Sequence, residues 1–259
     1  MTKGRSMNSQ IVKRTLGSSA IAATMLFCTP LAQADEMLSA GQKTEVESVI
    51  EEYLMKNPDV LLRAIQNVQA WQASEQAREQ SASIAPVWDA LVADSSVPSI
   101  GPVDAPVTVI EFFDYHCGYC KSAFDGVMEI AKEHDGKVRT IFVEFPILRE
   151  ESADAARAAL AAAKQGKYME VHEAFMANRG LLDEERINDL ASGAGVDVTK
   201  MREDMKSPEI NGMLAQYSAM ARTVGISGTP AFLINGTMVS GADMDRVNSL
   251  VLSGLEDAS

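Results

Sequence analysis

Apolar side chains recur at helical spacing from about residue 35 to residue 92, and they predict two helices. Ser39 and Gln42 have the spacing of a capping box, so the first helix is predicted to begin there. The second helix is predicted to begin at Asn57-Pro58, because asparagine caps helices and proline suits the first helical position. Its apolar residues form one narrow stripe, at Leu61, Ile65, Val68 and Trp71. The second helix therefore has few partners for its apolar face nearby in the sequence.

Beyond a connector rich in Pro, Gly and Ser at residues 94–106, the pattern changes to alternating strands and helices. The apolar run "PVTVIEFFDY" predicts a strand, the residues around Phe124 and Val127 predict a helix, and "KVRTIFVEFPI" predicts a second strand. A mainly helical run follows from about Ser152 to Val224. The chain then ends in a strand, a two-residue Asn-Gly hairpin, another strand and an amphipathic helix.

Two cysteines three residues apart, Cys117 and Cys120 in "DYHCGYC", lie where the first of these strands gives way to a helix. A strand, a C-x-x-C turn, a helix and a strand in this order open a thioredoxin-type unit. We therefore predict an α/β protein with a thioredoxin-like fold over residues 100–259. A helical subdomain is expected to be inserted at about residues 150–224, and a helical segment with its linker to precede the fold at residues 35–99.

The N-terminus has the parts of a secretory signal peptide. A basic lead is followed by the apolar run "TLGSSAIAATMLFC", which is too short to span a bilayer, and Ala32 and Ala34 provide small residues at a cleavage site. We predict that residues 1–34 are removed after Ala34 and that the mature chain is periplasmic. One alternative is an uncleaved anchor, which is disfavoured because the apolar run stops at Pro30. Another is a lipoprotein site at Cys28, which is disfavoured because bulky Phe27 precedes the cysteine.

Removal of this leader changes the charge and the cysteine count. The full chain has 23 Lys and Arg against 36 Asp and Glu, a net charge of −13. Four basic and no acidic residues leave with the leader, so the net charge of the mature chain becomes −17. Such a charge argues against nucleic acid or an anionic membrane surface as a partner. Cys28 is also lost, which leaves Cys117 and Cys120 in an oxidising compartment.

Three roles are open to the cysteine pair. A structural zinc site normally needs four ligands, and besides the pair the chain offers only histidines at positions 116, 134 and 172. A structural disulfide between residues three apart closes too small a loop to restrain the unfolded chain much. A redox-active pair fits best, because Cys117 at a helix N-terminus would be stabilised as the reactive thiolate, with help from a protonated His116. Cys120, one turn inside the helix, would act as the resolving thiol.

Two further features accompany the pair. "GTPAF" places Pro230 before a strand, where a thioredoxin-like fold has a cis proline facing the cysteines, and this predicts substrate contact through Thr229. Glu111 lies in the middle of an apolar strand, where a carboxylate is costly unless it has a task. We predict that Glu111 is buried beneath the pair and carries protons to and from Cys120. An ordinary trans turn proline and a surface glutamate are the alternatives.

With "FFDYHCGYC", Glu111 and "SGTPAFLING", residues 100–256 resemble the DsbA family of periplasmic thiol-disulfide oxidoreductases. The added N-terminal segment makes the chain most similar to the branch that contains the suppressor of copper sensitivity protein ScsC and the Com1-type antigens. In members of this branch, the resemblance implies that the extra segment oligomerises the catalytic domains.

The dipeptide between the cysteines departs from the oxidase pattern of the family. Gly118-Tyr119 is similar to the dipeptide of the periplasmic disulfide isomerase DsbC, as is Thr229 before the proline. The resemblance implies that these residues contact substrate, and it argues against a purely oxidising role.

The expected function is therefore that of a periplasmic protein disulfide isomerase or reductase, acting as a homo-oligomer, dimer or trimer, through residues 35–99. Expected partners are secreted or periplasmic proteins with cysteines and a membrane redox partner, and we expect no cofactor and no resident metal. A DsbA-like dithiol oxidase is one alternative. Another is a copper-handling protein in which the cysteines and His116 bind Cu(I). Four methionines at near-helical steps prompt that reading, although such residues more often fill a core: Met201, Met205, Met213 and Met220. The N-terminal helices could also fold back on their own domain.

Overall fold

The computed structural model describes residues 38–258, which contain nine helices and a five-stranded sheet. The predicted signal peptide lies outside these residues. Two compact units divide the chain, the first ending at Arg63 and the second beginning at Ala64. Within the described part, no helix combines the length and the apolar character that a membrane span requires.

The first unit contains α1 (Ala40–Lys56) and the first turns of α2 (Pro58–Ala93). The side chain of Ser39 accepts a hydrogen bond from the N–H of Gln42, and the side chain of Gln42 accepts one from the N–H of Ser39. This reciprocal pair confirms the predicted capping box. No residue of α1 is buried, so the apolar side chains of this helix are exposed to solvent.

The second unit is built on a mixed sheet with the strand order β1-β3-β2-β4-β5. Its strands are β1 (Ser99–Ile100), β2 (Val107–Phe113), β3 (Val138–Glu144), β4 (Ala231–Ile234) and β5 (Thr237–Ser240). β2 and β3 run parallel and are joined by α3 (Gly118–Glu133), whereas the other pairs of strands are antiparallel. Every residue of β2, β3 and β4 is buried, so this part of the sheet is covered on both faces. The arrangement confirms the predicted thioredoxin-like fold.

The strand β1 lies in the segment that the sequence analysis treats as a plain connector. Ser99 pairs with Ile141 and Ile100 pairs with Thr140 of β3. Gly101 follows with a φ of 86°, and a Cβ at this position would lie 2.2 Å from the carbonyl oxygen of Val138. Only glycine therefore lets the chain leave the sheet so close to β3. A two-residue strand is too short to show the alternation by which strands are predicted.

The last elements follow the sequence prediction. Asn235 and Gly236 join β4 to β5 with φ angles of 49° and 79°, as a two-residue hairpin with two left-handed positions requires. The chain closes with α9 (Met244–Asp257), which Asp243 caps by accepting a hydrogen bond from the N–H of Arg246.

Five helices form the insertion between β3 and β4: α4 (Glu150–Ala163), α5 (Tyr168–Ala177), α6 (Glu184–Gly193), α7 (Val198–Asp204) and α8 (Pro208–Thr223). Seven alanines and serines of α4 are buried, and their small side chains allow the neighbouring helices to pack closely around it. Met201 and Met205 are buried, while Met213 and Met220 pack partly buried against the same core. The methionine stripe therefore fills the core of the insertion.

The C-terminal turns of α2 belong to the core of the second unit. Ile84, Val87 and Leu91 are buried there, and the guanidinium of buried Arg139 donates a hydrogen bond of 3.0 Å to the carbonyl oxygen of Val92. The compact unit thus begins well before the boundary at residues 99/100 that the sequence predicts. The helix runs through Pro86 without interruption, whereas the turn residues that mark a boundary in the sequence come only after residue 94.

Candidate active site

Cys117 caps the N-terminus of α3 immediately after the turn that follows β2. Its sulfur accepts a hydrogen bond of 3.3 Å from the N–H of Cys120, and its thiol donates one of 3.1 Å to the carbonyl oxygen of Thr229. The Thr229–Pro230 peptide bond is cis, as predicted. Both cysteines are free thiols in this structure. The fold therefore brings the cysteine pair and the proline loop together from positions more than 100 residues apart.

The fold lowers the pKa of Cys117 and raises that of Cys120. Hydrogen bonds lower the pKa of Cys117 from 9.0 to about 5, the largest contribution coming from the Cys120 thiol, with further ones from Thr229 and from backbone N–H groups. Burial opposes this shift without cancelling it. Cys120 is fully buried, and burial, its hydrogen bond to Cys117 and nearby Glu111 raise its pKa. Cys117 is therefore the thiolate at neutral pH and Cys120 a protonated thiol, which suits an attacking and a resolving residue.

Glu111 is buried on the central strand β2, between Phe142 of β3 and Phe232 of β4. Both carboxyl oxygens lack a hydrogen-bond partner within the described chain. Burial, followed by the charge of Cys117, raises the pKa of Glu111 from 4.5 to about 8. Such a position excludes the surface alternative. A carboxyl group with this pKa can both hold and release a proton near pH 7, which general acid-base chemistry requires.

His116 precedes Cys117, but its imidazole does not face the sulfur as a hydrogen-bonding partner. Its ring nitrogens contact Ser152 and Leu182, and burial lowers its pKa from 6.5. These contacts favour the neutral ring, whereas the sequence analysis expects a protonated one. The backbone N–H of His116 donates to Asp114, and its ring contacts Ser152. Both partners are buried polar residues that the sequence pattern did not reveal.

Apolar side chains are exposed around the cysteine turn. Tyr119, between the cysteines, is 72% exposed, and Gly118 beside it is exposed as well. Ile147, Leu148 and Leu181 are also exposed, and their loops are joined to the cysteine turn by hydrogen bonds from Ile147, Leu148 and Leu182.

A second buried polar group lies behind the turn. The hydroxyls of Tyr115 and Tyr168 both donate to the same carboxyl oxygen of Glu144 at 3.0 Å, and Tyr115 lies 2.9 Å from Nδ1 of His172. Burial raises the pKa of Glu144 well above its usual value and lowers that of His172 to about 3. The sequence analysis missed this group, although Glu144 lies on an apolar strand as Glu111 does. The hydrogen bonds to Glu144 and His172 fix the position of Tyr115, two residues before Cys117.

Residues 38–258 contain no group of three or more His, Cys, Asp or Glu side chains arranged to hold a metal ion. His134 lies at the C-terminal end of α3, and buried His172 lies 2.9 Å from the hydroxyl of Tyr115.

Two family models match the chain. Residues 94–251 match the thioredoxin model, and residues 42–77 match the model of the copper resistance protein ScsC N-terminal domain. Among curated proteins, the Na(+)/H(+) antiporter NhaA 3 of Salinispora tropica is 33% identical over 164 residues. This match covers 61% of the chain and 24% of the antiporter, so the chain spans about a quarter of that relative's length.

Solved structures of thioredoxin-like proteins and of ScsC are also similar to this chain. A thioredoxin-like oxidoreductase from Silicibacter pomeroyi DSS-3 is 37% identical with a TM-score of 0.62, over 65% of this chain and 97% of that one. A linker-deletion mutant of ScsC from Proteus mirabilis is 29% identical with a TM-score of 0.63, over 86% of this chain and 100% of that one. The chain therefore belongs to the thioredoxin family, as a DsbA-family, ScsC-like member.

Proposed function

We propose that the protein is a periplasmic disulfide isomerase or reductase that works as a homo-oligomer through its N-terminal helices. The observation that carries this proposal is an exposed apolar face on α1 and on the first half of α2. Its members are between 41% and 63% exposed: Val46, Val49, Ile50, Tyr53, Leu61, Ile65, Val68 and Trp71. Exposed apolar side chains grouped in this way on a helix mark a protein interface.

A second copy of the same chain is the occupant that these helices suit best. The stripe on α2 repeats at four- and three-residue steps, which is the spacing by which helices of separate chains pack along one another. The residues that match the ScsC N-terminal domain model, 42–77, are also those that carry the face. Identical stripes on identical chains are self-complementary, so a closed homo-oligomer buries all of them.

The chemistry of isomerisation needs no external electrons. The Cys117 thiolate attacks one sulfur of a substrate disulfide, a mixed disulfide forms, and the other substrate sulfur leaves as a thiolate. That thiolate attacks a second substrate disulfide, and a later substrate thiolate attacks the mixed disulfide and releases Cys117. One S–S bond forms for each that breaks.

Reduction of the substrate occurs when Cys120 resolves the mixed disulfide. When Cys120 loses its proton to Glu111 and attacks Cys117, the substrate leaves as a dithiol and the pair becomes a disulfide. Two electrons have then passed to the substrate, so a reducing partner must restore the pair. We propose a membrane redox partner for this step and cysteine-containing proteins of the periplasm as substrates.

An oligomer favours isomerisation over oxidation. Several active sites that share one cleft hold a substrate while its thiols search for better partners, and they make it harder for an oxidising protein to reach each pair. A free catalytic domain instead releases its substrate after one exchange. The N-terminal face therefore decides between two outcomes of the same cysteine chemistry.

A dithiol oxidase is the second candidate, and one observation favours it. The pKa of about 5 at Cys117 means that the reduced pair is stabilised at neutral pH, which makes the disulfide a stronger oxidant. The isomerase and the oxidase therefore differ mainly in whether the chain forms an oligomer.

Charged substitutions on the exposed face test the proposal in the full-length chain. Ile65→Asp combined with Val68→Asp should yield monomers in analytical ultracentrifugation, with loss of activity on a scrambled disulfide substrate and a gain in dithiol oxidation. Gln66→Asp, on the opposite face of α2, is the matched control and should remain oligomeric and active. A monomeric wild-type protein, or a monomeric variant that reshuffles at the full rate, would contradict the proposal.

A further inference from the structure

The carboxylate of Asp114 is the centre of a buried network behind the cysteine turn. One oxygen accepts hydrogen bonds of 2.7 Å from the N–H of His116 and from the hydroxyl of Ser152. The other accepts bonds of 2.9 and 3.0 Å from the N–H groups of Ile147 and Leu148. Uncharged donors thus satisfy all four acceptor positions. Nδ1 of His116 lies 4.0 Å from the nearer oxygen, beyond hydrogen-bond distance.

The contacts of the His116 ring select one tautomer. Nε2 lies 3.0 Å from the backbone nitrogen of Leu182, and because a backbone N–H can only donate, Nε2 must be an unprotonated acceptor. The ring proton is therefore on Nδ1, 3.0 Å from the hydroxyl oxygen of Ser152, whose own proton goes to Asp114. Protonation at Nε2 would set two donors against each other and break the bond to Leu182.

The charged groups around the ring do not reverse this preference. Burial is the largest influence and lowers the pKa of His116; Arg149 of the loop before α4 and Lys121 of α3 lower it further. Asp114 and Glu151 act in the opposite direction. The net result is a pKa below 6.5 for a side chain that is only 4% exposed, so the ring is neutral at neutral pH.

The network joins three segments that are distant in sequence. His116 belongs to the cysteine turn, Ser152 to the first turn of α4, and Leu182 to the loop between α5 and α6. The second and third segments adjoin exposed apolar side chains, namely Leu148 and Leu181. His116 thus links the cysteine turn to the two segments that carry these side chains.

We propose that His116 is a positioning residue. As a neutral strut, it holds the exposed apolar side chains of Leu148 and Leu181 beside Cys117, and it does not supply the charge that stabilises the thiolate. This role replaces the electrostatic one that the sequence suggests. A substrate peptide whose cysteine reacts with Cys117 would lie against Leu148 and Leu181, so the strut acts on substrate binding and leaves the reactivity of the sulfur unchanged. The proposal concerns thiol-disulfide exchange itself and is independent of whether isomerisation or oxidation prevails.

Replacement by a ring of similar shape separates the two roles. In His116→Phe, we expect KM for a disulfide-bonded peptide with apolar flanking residues to rise about five- to tenfold, with kcat little changed, because a uniform binding contact is lost. The pKa of Cys117, measured from thiolate absorbance, should move by less than about 0.3 units. His134→Phe, at the far end of α3, is the matched control and should alter neither quantity. A Cys117 pKa raised by about one unit or more, with KM unchanged, would overturn the proposal.

His116→Gln tests the same proposal if His116→Phe folds poorly. The amide of His116→Gln can accept the Leu182 N–H but cannot be charged, so KM should return to near the wild-type value. The KM of the wild-type protein should rise as the pH falls well below 6.5, because a protonated ring loses the Leu182 bond, whereas that of His116→Gln should stay flat. A flat wild-type profile, or a raised Cys117 pKa in His116→Gln, would contradict the neutral strut.

Discussion

At the scale of single residues, the reactivity of the site rests on the hydrogen-bond donors that stabilise the thiolate of Cys117. Cys117 is only 5% exposed, yet the Cys120 thiol, Thr229 and backbone N–H groups lower its pKa, so its charge is stabilised without a cation. Thr229 is one of the groups that lower the pKa of Cys117, and its hydroxyl is buried with no hydrogen-bond partner of its own within the described chain. Thr229 therefore acts on the nucleophile as well as on the substrate backbone.

The alkylation rate of Cys117 with iodoacetamide should follow its ionisation, with a midpoint at a pH of about 5. Thr229→Val removes one donor to the thiolate at constant shape, and we expect the midpoint to rise by about one unit. Thr223→Val, which loses an exposed hydroxyl on α8, serves as the control. A midpoint that does not move in Thr229→Val would show that the Cys120 thiol and the backbone donors stabilise the charge without Thr229.

Glu111→Gln should separate stability from catalysis. In the folded protein this acid has a pKa of about 8 against 4.5 in the unfolded chain, so the folded state holds an extra proton between these pH values and loses stability as the pH rises through them. At pH 7 the cost is about 3 kcal/mol, and the neutral amide removes it.

Denaturant unfolding from pH 5 to pH 8 checks this prediction, since the variant should show a flatter dependence and greater stability at pH 7. The same variant should slow the resolution of mixed disulfides by Cys120 about a hundredfold, because its proton acceptor is gone. Equal stability profiles for both proteins, together with equal resolution rates, would reduce Glu111 to a packing residue.

At the scale of elements, the C-terminal half of α2 has a different task from its first half. The first half carries an exposed apolar stripe, whereas Ile84, Val87 and Leu91 are part of the core around the sheet. Arg139 of β3 also depends on this helix, because its guanidinium donates to the carbonyl of Val92. A deletion up to residue 92, which the sequence boundary suggests as harmless, would remove these contacts.

Two truncations locate the true boundary. A mature chain that begins at Gln76 should unfold cooperatively near the temperature of the full-length protein. One that begins at Asp94 loses three buried aliphatic side chains at about 1.5–3 kcal/mol each, a sum comparable to the whole stability of a domain. We expect this shorter chain to be largely unfolded by circular dichroism. An unchanged thermal midpoint for it would show that α2 adds nothing to the core.

The elements that the sequence predicts well are those whose signal is local. The capping box at Ser39, the Asn235-Gly236 hairpin and the C-x-x-C turn each depend on neighbouring residues, and the structure contains all three. β1 and the Asp114 network were missed for a common reason. β1 is defined by its pairing with β3, and Asp114 meets Ser152, 38 residues away, only through the fold.

At the scale of the whole molecule, we propose that the second unit carries the cysteine chemistry and that the N-terminal helices decide its outcome. In this proposal Cys117 attacks, Cys120 resolves and Glu111 moves the proton, and these residues would serve an oxidase equally well. The exposed apolar side chains of α1 and of the first half of α2 are what distinguish the proposed isomerase. The central claim is therefore that the full-length protein rearranges disulfides without a net change in their number.

The most direct test incubates reduced full-length protein with a scrambled multi-disulfide enzyme, in the absence of other thiols, and follows enzyme activity and free substrate thiols together. The account predicts that activity returns while the substrate thiol count stays nearly constant, and that Cys117→Ser abolishes the recovery. Loss of substrate disulfides in proportion to added protein, without recovery of activity, would contradict isomerisation and leave a simple dithiol exchange protein.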